Sequence, residues 1–306
     1  MSQPLWRDFC APVACQQGTP VVNPFSVRAD RKGARDADRR RKDTEFQQSV
    51  AQMSALSHVA RPPMVWLKCL AVLLNGFAIV TVNLWIYAAM ARFMEFHAAD
   101  YGRPPTISRS ISDPLIGVPF QFWITVSGIC LVVGVGILIL NYVRALRTVI
   151  APSAYVRVVL RVFVPLILVL QVSSSIGMYV LSAYRIPFHS EMHMVGSFQF
   201  FISQALVVLL FTLANQALLR DQNSLEVLHR RGDVHRSLVR LRFWVGSVCI
   251  ALVLVYFGLF LAKDVWTSDI APRLYWTYTK TEPVVISMFL LVLALSHLDL
   301  FRKRRE

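Results

Sequence analysis

The stretch TEPVVISMFLLVLALSHLDLFRKRRE, Thr281 to Glu306, decides the fold. From Val284 to Leu295 it carries no charge. It then passes His297 and Asp299 and stops in Arg302, Lys303, Arg304 and Arg305. An apolar run of about 18 residues is long enough to cross a hydrocarbon core of roughly 30 Å. Lys and Arg are retained on the cytoplasmic side of membranes, so the basic end is expected in the cytosol. Glu282, at the start of the run, is then expected at the opposite face.

Working back through the chain, long uncharged runs recur between short charged loops. Five further spans are predicted, at about Met64–Met90, Pro119–Val143, Val156–Leu181, Val195–Leu219 and Phe243–Ala262, the third bent at Pro165. Twenty-three of the 32 Lys and Arg fall in the segments that would be cytosolic, and seven in those that would be exoplasmic. This alternation predicts an all-α integral membrane protein with six transmembrane helices and both termini cytosolic. The net charge of +14 then reads as topology plus attraction to anionic lipid at the cytosolic face, not as a nucleic-acid footprint.

Four parts are expected. Residues 1–43 form a basic cytosolic arm, since RADRKGARDADRRRK (Arg28 to Lys42) is too charged to bury a core. Within it Arg39, Arg40, Arg41 and Lys42 are solvated topology determinants, an anionic-lipid contact or an arginine-based retention signal. Residues 44–63 form an amphipathic juxtamembrane helix. Phe46, Val50, Met53, Leu56 and Val59 make one apolar face, and Pro62 and Pro63 end it. Residues 64–302 form the six-helix domain, and 303–306 a basic tail. Met1 to Cys15 lacks the apolar core of a signal peptide. Cys10, Cys15, Cys69, Cys130 and Cys249 show no disulfide framework or zinc spacing; the first two are reduced thiols or sites of acylation.

Polar residues inside the spans are few. Asn75 and Asn83 share a face of the first, Ser173 to Ser175 interrupt the third, and Gly128, Gly134 and Gly136 mark the second; all are read as packing positions. No Asp or Glu falls in the middle of a predicted span, which argues against an ion-coupled transporter. Ionisable residues gather instead at the expected exoplasmic ends: Glu95, His97, Asp113, His189, Glu191, His193 and Glu282. Tyr275, Trp276 and Tyr278 accompany them as an interfacial belt. In HSEMH, His189 and His193 would share a helical face and could ligate a metal, but a polar network or solvated residues are favoured. No metal and no cofactor are expected. Asp113 and Glu282 suit a basic group or sugar hydroxyls.

Four anchors resemble the FRAG/DRAM/SFK family of six-span membrane proteins. PPTISRSISDPLIGVPFQFW looks like its Pro/Ser-rich loop with an ISD element, at Ile111, Ser112 and Asp113, and its spacing is closest to the branch acting on GPI anchors after attachment. NYVR, Asn141 to Arg144, is similar to the ending of the family's second span. HMVGSFQFF resembles its fourth span, with His193 fitting better than His189. The last span is similar in its leading Glu282 and its closing Asp299, although Pro283 stands where the family has an aromatic residue.

The resemblance implies a multi-pass protein of the Golgi or endoplasmic reticulum membrane acting in GPI-anchor lipid remodelling or related lipid handling. Its partners would be membrane lipids and GPI-anchored proteins. Asp113, His193 and Glu282, with His189 nearby, would form a lumenal headgroup site. The motifs do not decide whether the protein is an enzyme. The alternatives are a scaffold, trafficking or autophagy-modulator-like protein without catalysis, and a small transporter.

Overall fold

A computed structural model describes residues 65–97, 99, 104–147, 149, 152–186, 188–262 and 271–301. The arm, the juxtamembrane helix and the basic tail lie outside these residues, and so do Arg39, Arg40, Arg41 and Lys42. The described residues are helical, with no strand among them. Six helices are long and apolar enough to cross a membrane.

In chain order the elements are α1 (Val65–His97), the single turn α2 (Ile107–Ser110), α3 (Pro114–Arg147) and α4 (Ala154–Val158). A π turn (Val159–Phe163) joins α4 to α5 (Val164–Ala183). Then come α6 (Ser190–Arg220), α7 (Gln222–Arg230), α8 (Arg236–Ala262) and α9 (Ala271–His297), which ends in a 3₁₀ turn, Leu298–Phe301. The spans are α1, α3, α4 through α5, α6, α8 and α9. Each packs on the next and α9 returns to α1, so the six close a ring.

Short connections force consecutive spans to run antiparallel. In the sixth span 56% of the apolar window is buried, against 22% in the third and fifth, so the last helix is the most enclosed. Much of the outer surface is apolar, as expected where lipid replaces water.

Small and polar side chains set the helix contacts, because lipid removes most of the hydrophobic drive between helices. A Cβ on Gly177 would lie 2.5 Å from Phe200 N, and one on Gly196 would lie 2.5 Å from Leu181 N, so α5 and α6 touch through their backbones. Gly134 fits against Asn75, and Gly246 against Thr212. Gly136 has nothing within 4 Å of its added Cβ and serves no packing contact. Asn75 Nδ2 donates to His297 Nε2 at 2.8 Å. Ser287 Oγ donates to Asn83 Oδ1 at 2.6 Å. The two asparagines therefore do share a face, and that face meets α9.

Pro165 acts as a local backbone disturbance. A proline ring clashes with the carbonyl four residues earlier. The preceding π turn widens the helix, with Val164 N donating to Val159 O.

At the end of the bundle that carries α7, one charged group is deeply buried. Arg242, 2% exposed, pairs with Asp299. It also donates from Nε to Leu295 O at 3.1 Å and from Nη1 to Tyr142 OH at 3.3 Å. The second Asp299 oxygen accepts from His235 N at 3.1 Å. Counted from sequence as one more loop base, Arg242 is instead a clamp joining α3, α8 and the end of α9.

Candidate functional site

At the other end of the bundle α2, which lies between α1 and α3, folds inward. Thr106 caps α2 by accepting from Arg109 N at 3.1 Å. Ile107 and Ile111 are buried on either side. Two β-branched apolar residues flanking one helical turn give it a face to bury, which holds the turn against the spans. Ser108, between them, is only half-buried.

Two of the four sequence-derived candidates meet this turn. Glu282 Oε2 accepts from Ile107 N at 3.0 Å. His193, wholly buried, brings Nε2 to 2.8 Å from Ser108 Oγ. Its Nδ1 faces Leu181 O at 2.8 Å and Tyr184 O at 3.1 Å. Those carbonyls belong to the end of α5, where the last four carbonyls lack helical partners. A ring nitrogen facing two carbonyls must carry the proton, so in the neutral imidazole Nε2 is left as the acceptor. The Ser108 hydroxyl then donates to it.

The other two candidates lie in different surroundings. Asp113 pairs with His97 Nε2 at 3.1 Å and accepts from Leu115 N at 2.8 Å, so it caps α3. His189 is exposed and stands edge-on to Tyr184, with ring centroids 5.6 Å apart. The shared face expected for His189 and His193 is not formed, because His189 precedes the first turn of α6 and turns outward. Among the described residues no cluster of three or more His, Cys, Asp or Glu has the arrangement to hold a metal.

Two expectations are corrected here. Glu282 does not begin the last helix. The helix starts at Ala271, so Glu282 lies roughly 16 Å along it and is 4% exposed. Pro283 does not start the helix either; it is carried inside it. The bond from Ile107 N keeps Glu282 at the end of the bundle that carries α2. Tyr278, assigned to the interfacial belt, is buried and stacked on Tyr256 at 5.3 Å, with their hydroxyls 3.3 Å apart. Trp276, exposed and with Lys280 over its ring, does fit a belt position.

Beside Ser108 and Glu282 opens a small cleft. Its walls are aromatic: Phe198 and Phe201 from α6, Tyr256, Phe257 and Phe260 from α8, and Tyr278 from α9. Phe198 is also exposed on the flank of α6, in line with exposed Val195, Ile202 and Leu206. Spacings of three and four residues put these on one stripe. The cleft is therefore continuous with an apolar outer flank, and its lining includes the Ser108 hydroxyl, with the His193 imidazole behind it, and the Glu282 carboxyl.

No family model, curated protein or solved structure matches this chain.

The site's chemistry thus rests on its own geometry. Sequence reading singled out His193 and Glu282 but missed Ser108. Nothing in PPTISRSISD separates Ser108 from Ser110 and Ser112; only the turn that buries Ser110 and directs Ser108 to His193 does so.

Proposed function

We propose that this is a multi-pass protein of the Golgi or endoplasmic reticulum membrane that acts on membrane lipids, in GPI-anchor lipid remodelling or closely related lipid handling. Both termini lie in the cytosol and the Ser108 end faces the lumen. The orientation is supported by the alternating bias of Lys and Arg. The observation that carries the lipid reading is the aromatic cleft. It joins a lipid-facing flank and terminates in polar groups, which matches a molecule with an acyl chain and a polar head. The GPI assignment is supported by the motif resemblance around Ile111–Asp113, His193 and Glu282. Lipid analysis of GPI anchors in cells lacking the protein tests it: an altered acyl-chain profile is expected, and an unchanged one refutes it.

One observation favours a second reading. Glu282 is a buried acid on a helix long and apolar enough to cross a membrane, the kind of group a small transporter uses. Ion or solute flux in vesicles containing the purified protein, abolished by Glu282→Gln, would select transport over lipid chemistry.

A further inference from the structure

We propose that Ser108 and His193 form a nucleophile–base pair that transfers a fatty acyl group from a lipid ester, an inference that rests on the lipid-handling reading of the same cleft. Three independent features meet at one hydroxyl. The imidazole is held in the tautomer a general base requires, because Leu181 O and Tyr184 O claim its Nδ1 proton. Its free Nε2 is 2.8 Å from Ser108 Oγ, within the reach such a base needs. Ser108 itself lines the cleft, so the hydroxyl that His193 activates faces the space a substrate would occupy.

The support beneath the pair is rigid. Ser108 sits in a turn closed by the Thr106 cap, pinned by buried Ile107 and Ile111, and tied to α9 through Glu282. Glu282 is therefore a positioning residue for the nucleophile. The cleft's aromatic walls suit a hydrocarbon chain.

The step balances without a cofactor or redox change. Ser108 Oγ attacks the ester carbonyl carbon while its proton passes to His193 Nε2. The bond from that carbon to the lipid alkoxy oxygen breaks, and the departing oxygen takes the proton, releasing a lysolipid and leaving an acyl ester on Ser108. A hydroxyl acceptor, water or a lysolipid, then gives its proton to Nε2 and attacks the acyl carbonyl, and Ser108 leaves with the proton. The products are a free fatty acid or a new lipid ester, according to the acceptor.

The test uses the full chain purified in detergent and a long-chain alkyl fluorophosphonate, which reacts with activated serine hydroxyls. One adduct per chain is expected, on Ser108. Ser108→Ala should abolish labelling, and His193→Gln should slow it at least about 100-fold, the low end of what a positioned base contributes. Ser112→Ala, at a neighbouring serine bonded only to its own turn, should do neither.

Thermal unfolding of each variant establishes that it is folded. Vesicles of phosphatidylcholine carrying a radiolabelled acyl chain, with and without lysolipid, then identify the acceptor: label in free fatty acid means water, label in new ester means lysolipid. Wild-type protein that is folded yet unlabelled, or Ser108→Ala labelled as fast as wild type, overturns the pair. Absent labelling with an altered GPI profile in cells overturns the dyad and leaves the GPI reading standing. Labelling at Ser108 with an unchanged GPI profile does the reverse.

Discussion

Asp299→Asn should be among the most damaging single changes in the described residues, although it alters one atom. Arg242 and Asp299 are 2% and 6% exposed, so neither charge is screened by solvent. Removing the negative partner leaves a guanidinium buried with only Leu295 O and Tyr142 OH as acceptors. Breaking a buried pair in this way costs about 3–5 kcal/mol, chiefly the desolvation of the charge left behind. Against a typical total stability of about 5–15 kcal/mol that is a large fraction. Arg242→Met should cost a similar amount, leaving Asp299 with the single donor His235 N.

The double variant Arg242→Met/Asp299→Asn carries no orphaned charge and should recover most of the loss. Denaturant unfolding of the four proteins in one detergent measures the cycle. Singles within about 0.5 kcal/mol of wild type, or a double variant as unstable as the sum of the singles, would refute the clamp.

Gly196→Val should destabilise the α5–α6 contact by about 1–3 kcal/mol, because even its Cβ would meet Leu181 N at 2.5 Å, whereas Gly136→Ala should be near neutral; thermal unfolding compares them. Partial burial pushes the Asp221 carboxyl up, but hydrogen bonds from Ser224 and Ser153 outweigh this and hold it below the usual aspartate value. Its stabilisation is therefore complete above the unfolded pKa near 3.9 and lost as pH falls through the lower folded value. Asp221→Ala should cost about 0.5–2 kcal/mol at neutral pH and flatten the acid limb of the pH–stability profile. Tags on both ends should be cleaved by protease added to sealed Golgi or endoplasmic reticulum vesicles, whose outer face is cytosolic; an end that is protected until the vesicles are permeabilised contradicts the proposed orientation. Arg39, Arg40, Arg41 and Lys42 changed together to Ala should weaken binding to anionic vesicles by about 1 kcal/mol per base, in a salt-dependent way, in a sedimentation assay.

How far the site could be read in advance depended on residue type. His193 and Glu282 stood out because ionisable groups beside apolar runs are expensive and few. Ser108 did not, since serines are common in loops and hydroxyls have no hydropathy signature. Asp113 and His189 stood out for the same reason as His193, yet one caps a helix and the other faces solvent. Proximity to the membrane face is a one-dimensional property, whereas a shared site is a matter of which sides of which helices meet. Arg242 was hidden by its neighbours: it adjoins loop bases Arg236 and Arg240 and precedes the apolar run from Phe243, so charge counting placed it outside.

The sequence alone determined the class of solution. Apolar runs long enough to cross a bilayer must satisfy their backbone internally, so six such runs mean six helices, and short links mean antiparallel neighbours. Only the packed structure decided that α9 closes the ring on α1, that α2 folds inward, and that Ser108, His193 and Glu282 meet beside one aromatic cleft. The reason is that spanning is dictated by hydropathy summed along a segment. Which faces touch is dictated by close fits such as Gly177 against Gly196, and by hydrogen bonds between residues more than eighty positions apart, which leave no periodic trace in the chain.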